Sequence, residues 1–155
     1  MSPQQRPPKV QMTKLLRKNL EADGFDADNL AEYFGSWKAL GAAAEFSDPY
    51  FGKDGEYSQP IRNGRRVLRH VHLPPESNPE EVGRWDAQAK RGSRKTSDTS
   101  LIYAFDARHG YLLIYVAREP DGHVLSDMGT KETVDLMNNF ADVAEAFLFD
   151  GSILI

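Results

Sequence analysis

The 155-residue sequence predicts an α+β fold: a small antiparallel β-sheet with amphipathic helices packed on one face. Three observations lead there. Three β-type segments, 66–73, 101–105 and 111–117, follow one another and suit an antiparallel meander. Two segments with apolar residues at helical spacing, around 30–40 and 134–147, flank them. The composition, 40% hydrophobic and 27% charged, is that of a globular chain able to build one core.

In chain order, residues 1–9 are rich in Pro and Gln and are expected to be a disordered arm, with residues 10–155 as a single domain. The run from Val10 to Leu20 is ambiguous: Val10 and Met12 alternate like a strand, whereas Lys14 to Leu20 would serve in a helix. Gly24 ends it. Asp26 or Asp28 then caps a helix whose Leu30, Tyr33, Phe34, Trp37 and Leu40 form a buried stripe, read as core rather than a base-stacking platform. Phe46 to Gly64 reads as a long irregular loop, rich in Gly, Pro and Ser. After the strand 66–73, Pro74 to Pro79 breaks structure, and Pro79 to Asp86 suits one or two helical turns. Ala87 to Ser100 is polar, basic and expected to be mobile. Leu101–Phe105 and Tyr111–Ala117 form the clearest hairpin, with Gly110 free to take a positive φ. From about Thr130 a last helix places Val134, Met137, Phe140, Ala141, Ala144 and Phe147 on one side. Glu132 and Asp135 in its first turns suit the helix dipole.

No apolar run reaches the roughly 20 residues that span a bilayer, and no hydrophobic segment follows the N-terminus as in a secretory signal. The absence of cysteine excludes disulfides and thiolate metal sites, and fits a reducing cytoplasm, the expected setting. A net charge of −4 argues against a nucleic-acid binder until its distribution is considered. Residues 61–95 carry nine Lys/Arg against four Asp/Glu, whereas 119–155 carry one against eight. A positive patch can therefore form on a negative protein.

The chemistry concentrates between Arg62 and Leu73. Four arginines (Arg62, Arg65, Arg66, Arg69) and two histidines lie there without an acid. At period two, Val67, Val71 and Leu73 share one strand face, and Arg66, Leu68, His70 and His72 the other. With the aliphatic face buried, the two imidazoles project side by side, about 7 Å apart.

The chain resembles the YafO type of bacterial toxin, the toxic half of a type II toxin–antitoxin pair. The likeness rests on Phe51-Gly52-Lys53-Asp54, on His70-Val71-His72-Leu73 followed by Asn78-Pro79, and on Ser97-Asp98 leading into Leu101-Ile102-Tyr103. Further matches are Leu112-Leu113-Ile114, Arg118 followed by Pro120 and His123, and Ala144-Glu145-Ala146-Phe147. The resemblance implies an mRNA endonuclease that cuts messages on the translating ribosome, an antitoxin encoded by a neighbouring gene, and a RelE/ParE-like fold. The acidic total and the longer termini depart from that pattern.

RNA cleavage through the 2′-OH needs a base, an acid for the leaving 5′-oxygen, and cations around the phosphorane. Histidine can carry either proton and arginine grips phosphate. His70 and His72 are the expected proton-transfer pair, base and acid unassigned, with Arg66 on the same face as phosphate stabiliser. Asp98 and His123 complete the catalytic candidates. Arg62, Arg65, Arg69, Arg94, Lys95, Lys53 and Arg118 are the RNA-binding candidates, Arg94 and Lys95 on the mobile loop. No metal or other cofactor is expected.

Each has a plainer reading. A His-x-His pair can be structural, Asp98 a turn or capping residue, and Phe51 to Asp54 a turn. His70, His72 and His123 could instead make a three-histidine metal centre. A different class is a non-catalytic regulatory or immunity protein that only binds nucleic acid or a partner.

Overall fold

A computed structural model describes residues 8–155, so seven of the nine residues of the expected disordered arm lie outside the described residues. The ambiguous opening segment is both a strand and a helix. Strand β1 (Val10–Met12) runs into helix α1 (Lys14–Ala22). The junction is Thr13, fully buried, whose hydroxyl oxygen accepts the Leu16 N–H and whose hydroxyl donates to the Ile114 carbonyl. Helix α2 (Ala27–Ala39) begins, as expected, at Asp26, whose carboxylate accepts the Asn29 N–H. Phe34 and Trp37 are buried, but Leu40 falls past the helix end and is exposed.

The stretch 46–64 is less irregular than expected. A 3₁₀ turn (Ala42–Phe46) leads to β2 (Asp54–Glu56), and β3 (Ile61–Arg62) pairs with β4 (Arg65–Arg66) as a small ribbon. Its turn, Asn63-Gly64, takes positive φ at both residues, as a two-residue hairpin turn requires. The strand expected over 66–73 is therefore broken: Arg66 ends β4, Val67 and Leu68 are buried, and β5 is Arg69–His72. Helix α3 (Pro79–Lys90) is longer than the one or two turns expected, started by Asn78 with Pro79 at its first position. It absorbs the first part of the basic segment that was expected to be mobile. Strands β6 (Ser100–Asp106) and β7 (Gly110–Ala117) form the expected hairpin. Helix α4 (Gly122–Asp127) precedes α5 (Lys131–Asp150), which opens with a Thr130–Thr133 capping box.

The α+β class is as expected. The main sheet has the order β1-β7-β6-β5-β2, antiparallel except that β1 runs parallel to β7. Helices cover both of its faces rather than one. Ile102, Ala104, Leu112 and Ile114 pack with Phe140, Ala144 and Phe147 of α5. Val71, Leu101, Tyr103 and Leu113 pack with Leu16, Leu20, Phe34 and Trp37 of α1 and α2. A register shift between Ile102 and Tyr103 lets Ile114 and the following Tyr115 both serve the α5 side, where Tyr115 meets Phe140 at 4.8 Å between ring centroids. Among the described residues no helix is long and apolar enough to cross a membrane.

Candidate active site

Register decides which way the imidazoles face. Val71 is paired with Leu101 on the α1–α2 side, so His70, opposite Ile102, and His72, opposite Ser100, face the α5 side. Helix α5 lies over β6 and β7, leaving the β5 part of that face to smaller pieces of chain. Tyr57 stacks on His70 with 3.9 Å between ring centroids and 4° between planes. His70 and His72 are 5.5 Å apart by centroids, and His72 and His123 are 6.2 Å apart. Beyond them, Asp98 Oδ1 lies 2.7 Å from His123 Nδ1 and also accepts the His123 backbone N–H at 2.7 Å. The result is a row of rings, Tyr57, His70, His72 and His123, closed by a carboxylate.

Two backbone features hold the row. The Ser97 backbone meets His72 Nδ1 with its N–H at 3.0 Å and its carbonyl oxygen at 2.8 Å, so the same residue fixes the ring in either tautomer. Gly122 lets α4 begin against the loop carrying Asp98. A Cβ there would stand 2.0 Å from the Asp98 carbonyl oxygen, which only glycine avoids. Gly55, the cross-strand partner of His70, has open space where a side chain would be, so that side of the row is not walled off.

Burial dominates the electrostatics of the inner rings. Desolvation, followed by the neighbouring His72, pulls the His70 pKa down to about 4. His72, 6% exposed, is lowered too, first by desolvation and against the Ser97 hydrogen bond. Both rings are therefore neutral at pH 7. Lys53 contributes to both depressions. It is exposed, and its backbone accepts from the His72 N–H at 2.9 Å and donates to the Lys95 carbonyl at 2.8 Å. His123 differs in kind: its side chain is 65% exposed and one nitrogen is held by Asp98, leaving Nε2 for solvent or substrate.

The cations are less concentrated than the sequence suggested. Arg66 does not share a strand with the histidines. It is exposed on β4, lining a hollow of about 300 Å³ with Arg65, Arg69 and Phe105. Arg69 is half-buried and hydrogen-bonds Tyr103, which also bonds Asp54. Arg62 is spent inside the fold: it reaches Asp142 at 2.7 Å, Glu145 at 2.6 Å and the Asn138 carbonyl at 3.0 Å, tying the β3–β4 ribbon to α5. Lys95 is not on a mobile loop surface. It is 2% exposed, 5.5 Å over the Trp85 ring, and desolvation lowers its pKa. Arg94 remains exposed, 4.0 Å from Glu45. Arg118 is ion-paired with Asp23 and Glu76 and is not part of the row.

Sequence reading missed Tyr57 and Gly122, and the hold of Ser97 on His72. Tyr57 was hidden because its stretch looked like loop. Asp98 does act as a cap, accepting the His123 N–H in the first turn of α4, and the same oxygen holds the His123 ring. Among the described residues no group of three or more His, Asp or Glu is arranged to hold a metal ion, and the three histidines stand in file rather than converging.

A family model described as Toxin YafO, type II toxin–antitoxin system, matches residues 35–149, a span that contains the whole row. No curated protein and no solved structure matches the chain.

Proposed function

Because the chain belongs to the YafO toxin family of type II toxin–antitoxin systems, we propose that it is an endoribonuclease that cuts mRNA on the translating ribosome and so arrests translation. A cognate antitoxin is the partner the family implies. The ribosome and its mRNA are the proposed substrate complex, which places the action in the cytoplasm. The observation that carries the reading is the file of imidazoles ending at the Asp98–His123 pair.

The proposed cleavage is internal transesterification. A neutral imidazole takes the 2′-OH proton, O2′ bonds to phosphorus, and the P–O5′ bond breaks. O5′ leaves with a proton from a second group, giving a 2′,3′-cyclic phosphate and a 5′-OH. His123, oriented by Asp98, and His72 are the proton-transfer pair the geometry favours. A ring with a pKa near 4 is a weak base and carries no proton to donate at pH 7, so His70 serves better as a support of His72, stacked on Tyr57. Lys53, beside the row, and Arg65 and Arg66, exposed on β4, are the proposed backbone contacts.

One observation favours a second reading, toxicity by binding alone: His70 and His72 are both held neutral and largely covered. Induction of the toxin without its neighbouring gene separates the two. His72→Ala with His123→Ala restores growth if cleavage is the toxic act, provided the purified variant is folded. Continued arrest by that folded variant supports the binding-only reading.

A further inference from the structure

Away from the imidazoles, two hollows meet at the end of β7. The larger, about 930 Å³, lies between α1, α2 and the segment around Leu73 to Glu76. The smaller, about 470 Å³, lies between α1 and the α4–α5 region. They share Leu20, Asp23, Val116 and Arg118, so they form one groove crossed by the Arg118–Asp23 ion pair. Strand β1 pairs with Tyr111 to Leu113, so among the described residues the rest of β7 reaches this groove with no strand on that side.

The lining is apolar where it is open. Phe25 is 56% exposed, Tyr33 41% and Tyr50 37%, an aromatic wall larger than scattered surface residues supply. Its charge is one-sided. Asp23, Asp26 and Glu76 line the larger hollow, and Asp121 and Glu132 the smaller. Among the described residues, one guanidinium stands against these five carboxylates: Arg118, already held by Asp23 and Glu76. Such a surface repels a phosphate backbone and attracts an aliphatic or aromatic segment flanked by Lys or Arg.

From this we infer that the groove is the docking site of the cognate antitoxin, which inserts apolar anchors between basic residues of its own. The inference rests on the family's toxin–antitoxin pairing and not on the proposed cleavage. The larger hollow opens on the sheet face of Leu73 and Leu101, opposite His70 and His72. Antitoxin binding and toxic chemistry are therefore separable by mutation.

The test titrates the full-length toxin with the purified protein encoded by the neighbouring gene, by calorimetry, for wild type, Phe25→Ala and Glu76→Lys. Each variant is expected to bind at least tenfold more weakly, and to arrest growth in cells where that protein no longer rescues it. Wild-type affinity for both folded variants overturns the proposal. Amide exchange on the wild-type complex gives a second reading that no misfolded variant can spoil. Protection is expected over residues 20–33 and 73–76, and protection confined to the imidazole face overturns the proposal. Protection of the same residues by an unstructured RNA oligonucleotide also overturns it, since the occupant would then be nucleic acid. The calorimetric and exchange readouts do not depend on RNA being cut.

Discussion

At the scale of single residues, the row divides into a buried, neutral half and an exposed, carboxylate-backed half. The buried half has a stability signature. The His70 pKa lies well below its unfolded value, so between about pH 6.5 and 4 the unfolded chain binds the extra proton. Its contribution is complete above the unfolded value and is lost as pH falls through that window. Between pH 7 and pH 5 the loss amounts to about 2 kcal/mol. Urea midpoints at the two pH values should show it, and His70→Phe, which keeps the stack on Tyr57 but cannot titrate, should flatten the dependence. An unchanged slope in that variant would mean the ring is more solvated than its packing indicates. The exposed half has a kinetic signature instead. His123→Ala should reduce RNA cleavage about 100-fold or more, and Asp98→Asn, which keeps the size but weakens the hold on Nδ1, should lose part of that. The pairing of the two was not legible in the sequence, because 25 residues and a strand hairpin separate them. The His70–His72 alternation was legible, because strand geometry alone puts both rings on one side.

At the scale of elements, the arginines of the β3–β4 ribbon do different work despite their closeness in sequence. Arg62 is a strut to α5, so Arg62→Ala should cost about 1 kcal/mol and lower the melting temperature by about 3 °C, without changing RNA affinity. Arg65 and Arg66 are exposed and form no ion pair among the described residues. Their removal should weaken RNA binding while leaving the melting temperature near that of wild type. The opposite pattern in a thermal melt and a filter-binding titration would reverse these roles. Sequence could not make the division, since the partners of Arg62 lie some 80 residues away on a helix. The break between β4 and β5 was hidden for a related reason. Val67 and Leu68 fit a continuous strand by periodicity, yet the chain turns there and both side chains are buried. By contrast α5 was readable from its 3-4 spacing and its Thr130 start, and the β6–β7 hairpin from Gly110 between two apolar runs.

At the scale of the whole molecule, charge segregation along the chain survives folding only in part. The cluster between residues 61 and 95 is thinned, because Arg62 is neutralised by α5 and Lys95 is buried beside Trp85. Arg65, Arg66, Lys90, Arg91 and Arg94 stay exposed, but the contacts proposed for RNA are few. With Lys53, Arg65 and Arg66 as the main phosphate contacts, the slope of log affinity against log salt should be about −2, shallow for a nucleic-acid binder. Weak intrinsic RNA affinity would fit the proposed cleavage of a message presented by the ribosome. The fold class was legible from pattern because each element carries its own periodicity. The second covered face was not, because the apolar residues of α1 and α2 do not announce which side of a sheet they will take. The central claim concerns the chemistry of the row, and the ends of the cut RNA test it most directly. Message cleaved on programmed ribosomes by the wild-type protein should carry 2′,3′-cyclic phosphate and 5′-OH ends, and His72→Ala with His123→Ala should abolish both. Ends bearing 3′-OH and 5′-phosphate, or wild-type cutting by that variant, would contradict the account.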